Sequence, residues 1–183
     1  AADALAAGAY LVNDISALRM DPEMVAVVRD ADCPVVLMHM LGEPKTMQEN
    51  PVYEDVVDEL YGFFVERLNW AVDHGVKEEN LLIDPGLGFG KTTAHNLEIL
   101  RNLEAFRSLG RPLVVGASRK RFLGEILGIT DPKGRDAATA AVTVIAAAPR
   151  ADWAARAPRP VPSTNAVWRT TEAPSHTATP GVR

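Results

Sequence analysis

From the first residues to about Ala148, short apolar runs alternate with longer stretches in which apolar positions recur every three or four residues. Four short runs, Ala9 to Val12, Pro34 to Met38, Asn80 to Ile83 and Arg111 to Val115, are bounded by Gly, Pro, Asn or Asp, as strands buried on both faces of a parallel sheet are. Helical patterns follow them. Asp21-Pro22-Glu23 reads as an N-cap with proline at the first helical position, leading into Met24, Val25 and Val28. Val56, Leu60, Phe63, Phe64, Arg67, Leu68 and Ala71 form an apolar stripe along which the Arg67 stem can lie, with Gly75 as the stop. Asn96 to Phe106 repeats the period through Leu97, Leu100 and Leu103, and Ala137 to Ala148 suits a helix buried against neighbours. The Ala-rich start closes at Gly8 like the end of a helix.

Repeated strand, loop and helix units predict a parallel α/β layer, either a doubly wound sheet or part of a (β/α) barrel. A complete barrel needs eight units in about 250 residues. Four are legible here, so the pattern reads as a partial (β/α)8 barrel, about its second half. Six of the 13 prolines fall between Pro149 and Arg183, and proline removes backbone donors from helices and strands. Residues 1–157 are therefore expected to form the barrel domain and 158–183 a disordered, Pro-rich tail.

Composition narrows the class. The 183 residues are 47% hydrophobic with a net charge of -5, which is globular and excludes a nucleic-acid surface that relies on overall basicity. No apolar run reaches the ~18 to 20 residues that span a bilayer, no basic leader precedes an apolar stretch, and the single cysteine, Cys33, excludes a disulfide framework. A cytoplasmic protein without membrane or nucleic-acid partners is the expectation.

The polar signals sit at the carboxyl ends of the strands, where α/β layers place their chemistry. Asp84-Pro85-Gly86-Leu87-Gly88-Phe89-Gly90-Lys91 lacks the Gly-x-Gly-x-x-Gly spacing of a dinucleotide loop. A carboxylate at that place can take paired hydrogen bonds from the amino-imine edge of a guanidine-like ring, or it can cap the turn. In Gly116-Ala117-Ser118-Arg119-Lys120-Arg121-Phe122, three cations before a short helix suit an anion site or a solvated basic surface. Asn13 can meet a heterocycle edge or make an Asx turn, and Met38 and Met40 can floor a flat ring or fill the core. His39 has no second histidine or cysteine at ligand spacing and reads as a structural residue.

Taken together, Asn13-Asp14-Ile15-Ser16, Leu37-Met38-His39-Met40-x-Gly42-x-Pro44-x-Thr46-Met47-Gln48, Asp84 to Lys91 and Gly116-x-Ser118-Arg119-Lys120 resemble the dihydropteroate synthase family, from Ala1 to about Trp153. The resemblance implies a (β/α)8 barrel and a sulfonamide-sensitive transferase of folate biosynthesis. That enzyme joins p-aminobenzoate to 6-hydroxymethyl-7,8-dihydropterin diphosphate with Mg2+ present. It implies that Asn13 and Asp84 bind the pterin edge, with Ile15 beside them, Met38 and Phe89 as apolar walls and Gly116 allowing close approach. Lys120 would contact the pterin ring and share the catalytic role with Asp84, while Ser118 and Arg121 would lie on the p-aminobenzoate side. The family's metal-binding Asn and mobile loop lie on strands before Ala1, so no residue of this chain is assigned to the metal. Ala151-Asp152-Trp153 resembles the start of the family's last strand, which Pro158 and Pro160 interrupt. Weak or absent turnover by this chain is expected, and a homodimer in the complete family member. A non-catalytic pterin-binding relative and a methyltetrahydrofolate-binding methyltransferase domain are the competing readings. The Ser118-Arg119-Lys120 and Thr46-Met47-Gln48 segments count against the latter.

Overall fold

In the computed structural model, the described residues are 1–148. The expected tail and the strand start at Ala151 lie outside them. Three parallel strands, β1 (Val12–Asp14), β2 (Val35–Met38) and β3 (Leu81–Asp84), lie side by side in chain order. Val12 faces Val35, Val35 faces Leu81, and Met38 faces Asp84. Helix α1 (Ala2–Ala6) precedes β1, α2 (Met24–Ala31) links β1 to β2, and α3 (Val56–Asp73) links β2 to β3. After β3 come α4 (Thr93–Arg101), α5 (Leu103–Arg107), α6 (Arg121–Leu127) and α7 (Asp136–Ala147); single 3-10 turns precede β3 at Glu78–Asn80 and α7 at Pro132–Arg135.

Alternation along the strands separates two faces. Val35, Leu37, Leu81 and Ile83 point into the main core with Leu60, Phe64, Ile99 and Phe106 from α3, α4 and α5. Val36 and Met38, also buried, stand outside that cluster on the opposite face, at the register of Asn13 and Asp84. This strand-helix layer is part of a (β/α)8 barrel, with Met38 and Asp84 on its inner side. Among the described residues no helix is long and apolar enough to cross a membrane.

Several expectations shift. The first strand starts at Val12, where the run from Ala9 was expected to end, because Ala9 N–H bonds back to the Ala4 carbonyl and Val12 N–H donates toward the second strand, to the Pro34 carbonyl at 2.9 Å. The fourth strand is reduced to one bridge between Ile83 and Leu113, held by Val114 N–H to the Ile83 carbonyl (2.8 Å) and Ile83 N–H to the Pro112 carbonyl (3.1 Å). Asp21 is not the helix cap. It turns the chain by accepting Glu23 N–H at 2.9 Å, and α2 starts at Met24. Asn102 divides the single helix expected from Asn96 to Phe106, its side chain donating to the Glu98 carbonyl at 2.8 Å. Of the expected stripe there, Leu97 is only half-buried while Ile99 is fully buried. Helix α7 forms but buries only Val142, leaving Val144 and Ile145 68% and 55% exposed. Its apolar composition needs a sheet to cover it, and among the described residues the sheet fades out at Leu113.

Candidate functional site at the strand ends

Each strand delivers one element of the site. At β1, Asp14 organises the exit. Oδ1 accepts Ser16 N–H at 2.8 Å and the Ser16 hydroxyl at 2.7 Å, and Oδ2 accepts Leu18 N–H at 3.0 Å. These bonds hold Ala17 and Leu18 at φ +53° and +63°, a left-handed pair without glycine, which costs energy that neighbouring contacts must offset. Two arginines complete the clamp. Buried Arg67 donates to the Ala17 carbonyl at 3.0 Å and lies 4.2 Å from the Trp70 ring centroid, and Arg19 reaches the carbonyls of Ser16 (2.8 Å) and Met40 (3.1 Å). Burial lowers the Arg67 pKa. Asn13 is left exposed and Ile15 half-buried at the rim.

The exits of β2 and β3 press together. His39 N–H donates to the Asp84 carbonyl at 3.0 Å. A Cβ on Gly86, whose φ is +64°, would stand 2.0 Å from the His39 carbonyl oxygen, and one on Gly90 would stand 2.7 Å from that of Leu41. Only glycine satisfies both the turn and that approach. The glycine loop is also stitched from outside by Tyr53, whose hydroxyl donates to the Gly90 carbonyl at 2.8 Å, and by Asn96, whose Oδ1 accepts Gly88 N–H at 2.8 Å. Gln48 donates to the Gly88 carbonyl.

Asp84 is 8% exposed, and burial raises its pKa against the opposing pull of Gly86 N–H, Lys120 and Lys91. Its Oδ1 accepts that N–H at 2.7 Å, so the turn-capping and ligand-binding readings are compatible: one oxygen caps and the other is left for a donor. Phe89, half-buried, carries the Lys120 ammonium 4.2 Å from its ring centroid. Lys120 also donates to the Leu87 carbonyl, and burial lowers its pKa. His39 is a packed neutral imidazole: burial, then Lys91 and Arg19, push its pKa down to about 2, and Phe63 meets it edge-on at 4.7 Å.

Asn13, Met38, Asp84, Phe89 and Lys120 thus lie on the strand ends and the loops leaving them. The other expected residues stand apart. Gly116 and Ser118 are exposed, with open space where a Gly116 Cβ would go. The anion cluster of three cations does not form, because carboxylates take two of them. Arg119 pairs with Asp136 (2.6 and 2.9 Å) and Arg121 with Glu125 (3.0 Å). Clefts of about 430 and 250 Å3 flank the glycine loop, and Arg121 lines both, but Asn13, Met38 and Asp84 line neither. These two clefts therefore lie beside the strand ends rather than over Met38 and Asp84, which are buried. Among the described residues no three His, Cys, Asp or Glu side chains converge as metal ligands. These residues do not by themselves fit a Mg2+ ion. Sequence reasoning missed Tyr53, Lys91 and Asn96, of which only Lys91 carried a signal, as the last residue of the glycine run.

A family model described as pterin binding enzyme matches residues 1–156. The chain belongs to that family. Dihydropteroate synthase from Synechocystis is 44% identical over 152 residues, covering 83% of this chain and 53% of the relative. The solved dihydropteroate synthase from Stenotrophomonas maltophilia superposes with a TM-score of 0.77 at 50% identity, covering 79% of this chain and 54% of that one. The Xanthomonas albilineans enzyme, solved in complex with 7,8-dihydropteroate, gives 0.73 at 43% identity, covering 79% and 52%. The chain spans about half the length of the relatives it matches.

Proposed function

We propose that this chain carries the pterin side of a dihydropteroate synthase site. The observation that carries the reading is Asp84: a buried carboxylate in register with Met38, one oxygen fixed by Gly86, beside a loop whose Phe89 carries the Lys120 ammonium on its ring. A carboxylate held this way accepts two donors from a pterin edge, with Asn13 at the neighbouring strand end and Ile15 at the rim. Met38 and Phe89 offer apolar faces to a flat ring, and Lys120 a cation at its margin. In the reaction, the bond between the exocyclic carbon and the diphosphate oxygen breaks and its electron pair leaves with pyrophosphate. The p-aminobenzoate nitrogen then bonds to that carbon and loses a proton. Asp84 favours the cationic pterin character that develops as the leaving group departs. Arg121 would meet p-aminobenzoate from the flanking clefts and Ser118 from the exposed loop before it, while Gly116 would let the pterin approach closely. The Mg2+ of the reaction, a homodimer and a cytoplasmic location belong to the same proposal for the complete protein.

The test is calorimetric titration of the full chain with 6-hydroxymethylpterin, beside Asp84→Asn. Loss of a charge-assisted pair weakens binding by about 1.5 to 3 kcal/mol, roughly 10- to 150-fold. Equal affinity in both proteins, with unchanged circular dichroism, refutes the role of Asp84. Binding without pyrophosphate release, on adding p-aminobenzoate, dihydropterin diphosphate and Mg2+, favours the non-catalytic relative.

A further inference from the structure

Lys91 is among the least exposed charged side chains, at 2%. None of the ion pairs among the described residues includes it. Its ammonium instead stands 3.0 Å from His39 Nδ1, 2.9 Å from the Phe89 carbonyl oxygen and 3.4 Å from the His39 carbonyl oxygen. Asp84 favours its charge through space, yet burying a cation with no carboxylate in direct contact is costly, and an apolar side chain of similar length would fill such a slot at less cost. Packing alone therefore does not account for a lysine here. The acceptors do. The β2 and β3 exits approach so closely that Gly86 has no room for a Cβ against the His39 carbonyl, and the carbonyls at this crossing take the ammonium as donor. A neutral imidazole whose proton sits on Nε2 supplies the third acceptor, so each of the three N–H bonds has a partner.

The partners of Lys91 adjoin the two walls. His39 directly follows Met38, and the other carbonyl belongs to Phe89, on whose ring Lys120 rests. We infer that Lys91 is a positioning residue, its ammonium bridging the β2 and β3 exits so that Met38 and Phe89, with Lys120 stacked on it, stand at the spacing a flat heterocycle needs. The inference deepens the pterin-site reading and rests on it for the identity of the ligand. Burial takes the Lys91 pKa from its usual range down to about 7, so the charge is held at a cost, as a geometric role requires and a solvated lysine does not.

The experiment uses the full chain with selectively 13C-labelled phenylalanine and 15Nζ-labelled lysine. In the wild type an exchange-protected Lys91 Nζ signal is expected, shifting when 6-hydroxymethylpterin is added; a Lys91 signal averaged with those of solvated lysines overturns the inference. Lys91→Met keeps the stem and removes the donors. It is expected to move the Phe89 carbonyl and ring resonances and to weaken 6-hydroxymethylpterin binding by about tenfold or more, with thermal stability unchanged or raised. Rescue comes from Lys91→Cys in a Cys33→Ala background, alkylated unfolded with 2-bromoethylamine and refolded, which restores a terminal ammonium at the same reach and should return both signals. Phe89 resonances and affinity unchanged in Lys91→Met refute it, as does a purely thermal defect that aminoethylation repairs without moving Phe89. A wild type that binds no pterin defeats the functional reading instead, while the Nζ and Phe89 signals still decide whether Lys91 sets the loop.

Discussion

Adding one methyl group to Gly86 tests the crossing on which the site depends. The new Cβ would lie 2.0 Å from the His39 carbonyl oxygen at a φ of +64°. Two costs follow. A left-handed conformation costs an L-residue about 1 to 2 kcal/mol. The clash cannot be relieved by rotating a side chain, since the obstacle is backbone, so the loops must part by about 1.4 Å to restore ordinary contact, and overpacking of this kind costs about 1 to 3 kcal/mol. The opening also strains the Gly86 to Asp84 bond of 2.7 Å and the Lys91 to His39 carbonyl contact of 3.4 Å. Together Gly86→Ala should lose about 2 to 5 kcal/mol, a large share of an ordinary domain's stability of ~5 to 15 kcal/mol. Gly116→Ala is the control: nothing lies within 4 Å of the Cβ it would add, and its φ is not positive. That change should stay within about 0.5 kcal/mol of wild type in urea unfolding, yet weaken 6-hydroxymethylpterin binding, because the open space is the ligand's. If Gly86→Ala unfolds within 0.5 kcal/mol of wild type, or the two variants are equally destabilised, the crossing is not as tight as the distances say.

Asp14→Ala frees two N–H groups, on Ser16 and Leu18, that hold the left-handed pair; a loss of about 2 to 4 kcal/mol is expected by urea unfolding, and a loss below ~0.5 kcal/mol would show that the turn is held by Arg67 and Arg19 alone. His39 predicts the acid limb. Its pKa is about 2 in the folded chain against 6.5 unfolded, so the unfolded state binds the extra proton between those values, and stability is full above pH 6.5 and falls as pH drops, by at most about 1.4 kcal/mol per pH unit. Asp84, its pKa raised, opposes this at the lowest pH. His39→Gln should flatten that limb in thermal melts recorded from pH 7 to pH 4, and an unchanged slope would mean that another group titrates there.

What was legible in the sequence is what neighbouring residues encode. Asp84 and Met38 stand at strand ends that Pro85, Gly86 and the apolar runs mark locally, and the structure sets them in register with each other. Helix α3 was equally plain because its stripe repeats over several turns, whereas the Asn96 to Phe106 pattern does not show the break at Asn102. Misreadings arise where a distant partner decides. Arg119 reads as a free cation until Asp136, 17 residues on, accepts two bonds from it; for Arg121 the partner was readable, since Glu125 lies one helical turn away. Helix α7 reads as buried because composition reports how apolar a face is and not whether a sheet arrives to cover it.

The glycines of the loop show the limit most sharply. A run of alternating glycines declares that the backbone must turn at positive φ, and it does so at Gly86, Gly88 and Gly90. The same letters do not declare that Gly86 is pressed against the His39 carbonyl or Gly90 against that of Leu41, because those neighbours lie on another strand's exit, about 47 to 49 residues earlier. Lys91 is missed for the same reason: by itself a lysine is expected in solvent. Only when two exits have been brought together, leaving carbonyls that face each other with no room for another side chain, does an ammonium become the group that fits between them. The site is legible residue by residue at its strand ends, while the spacing of its walls is a property of the crossing, written in glycines and one lysine whose meaning depends on what they face.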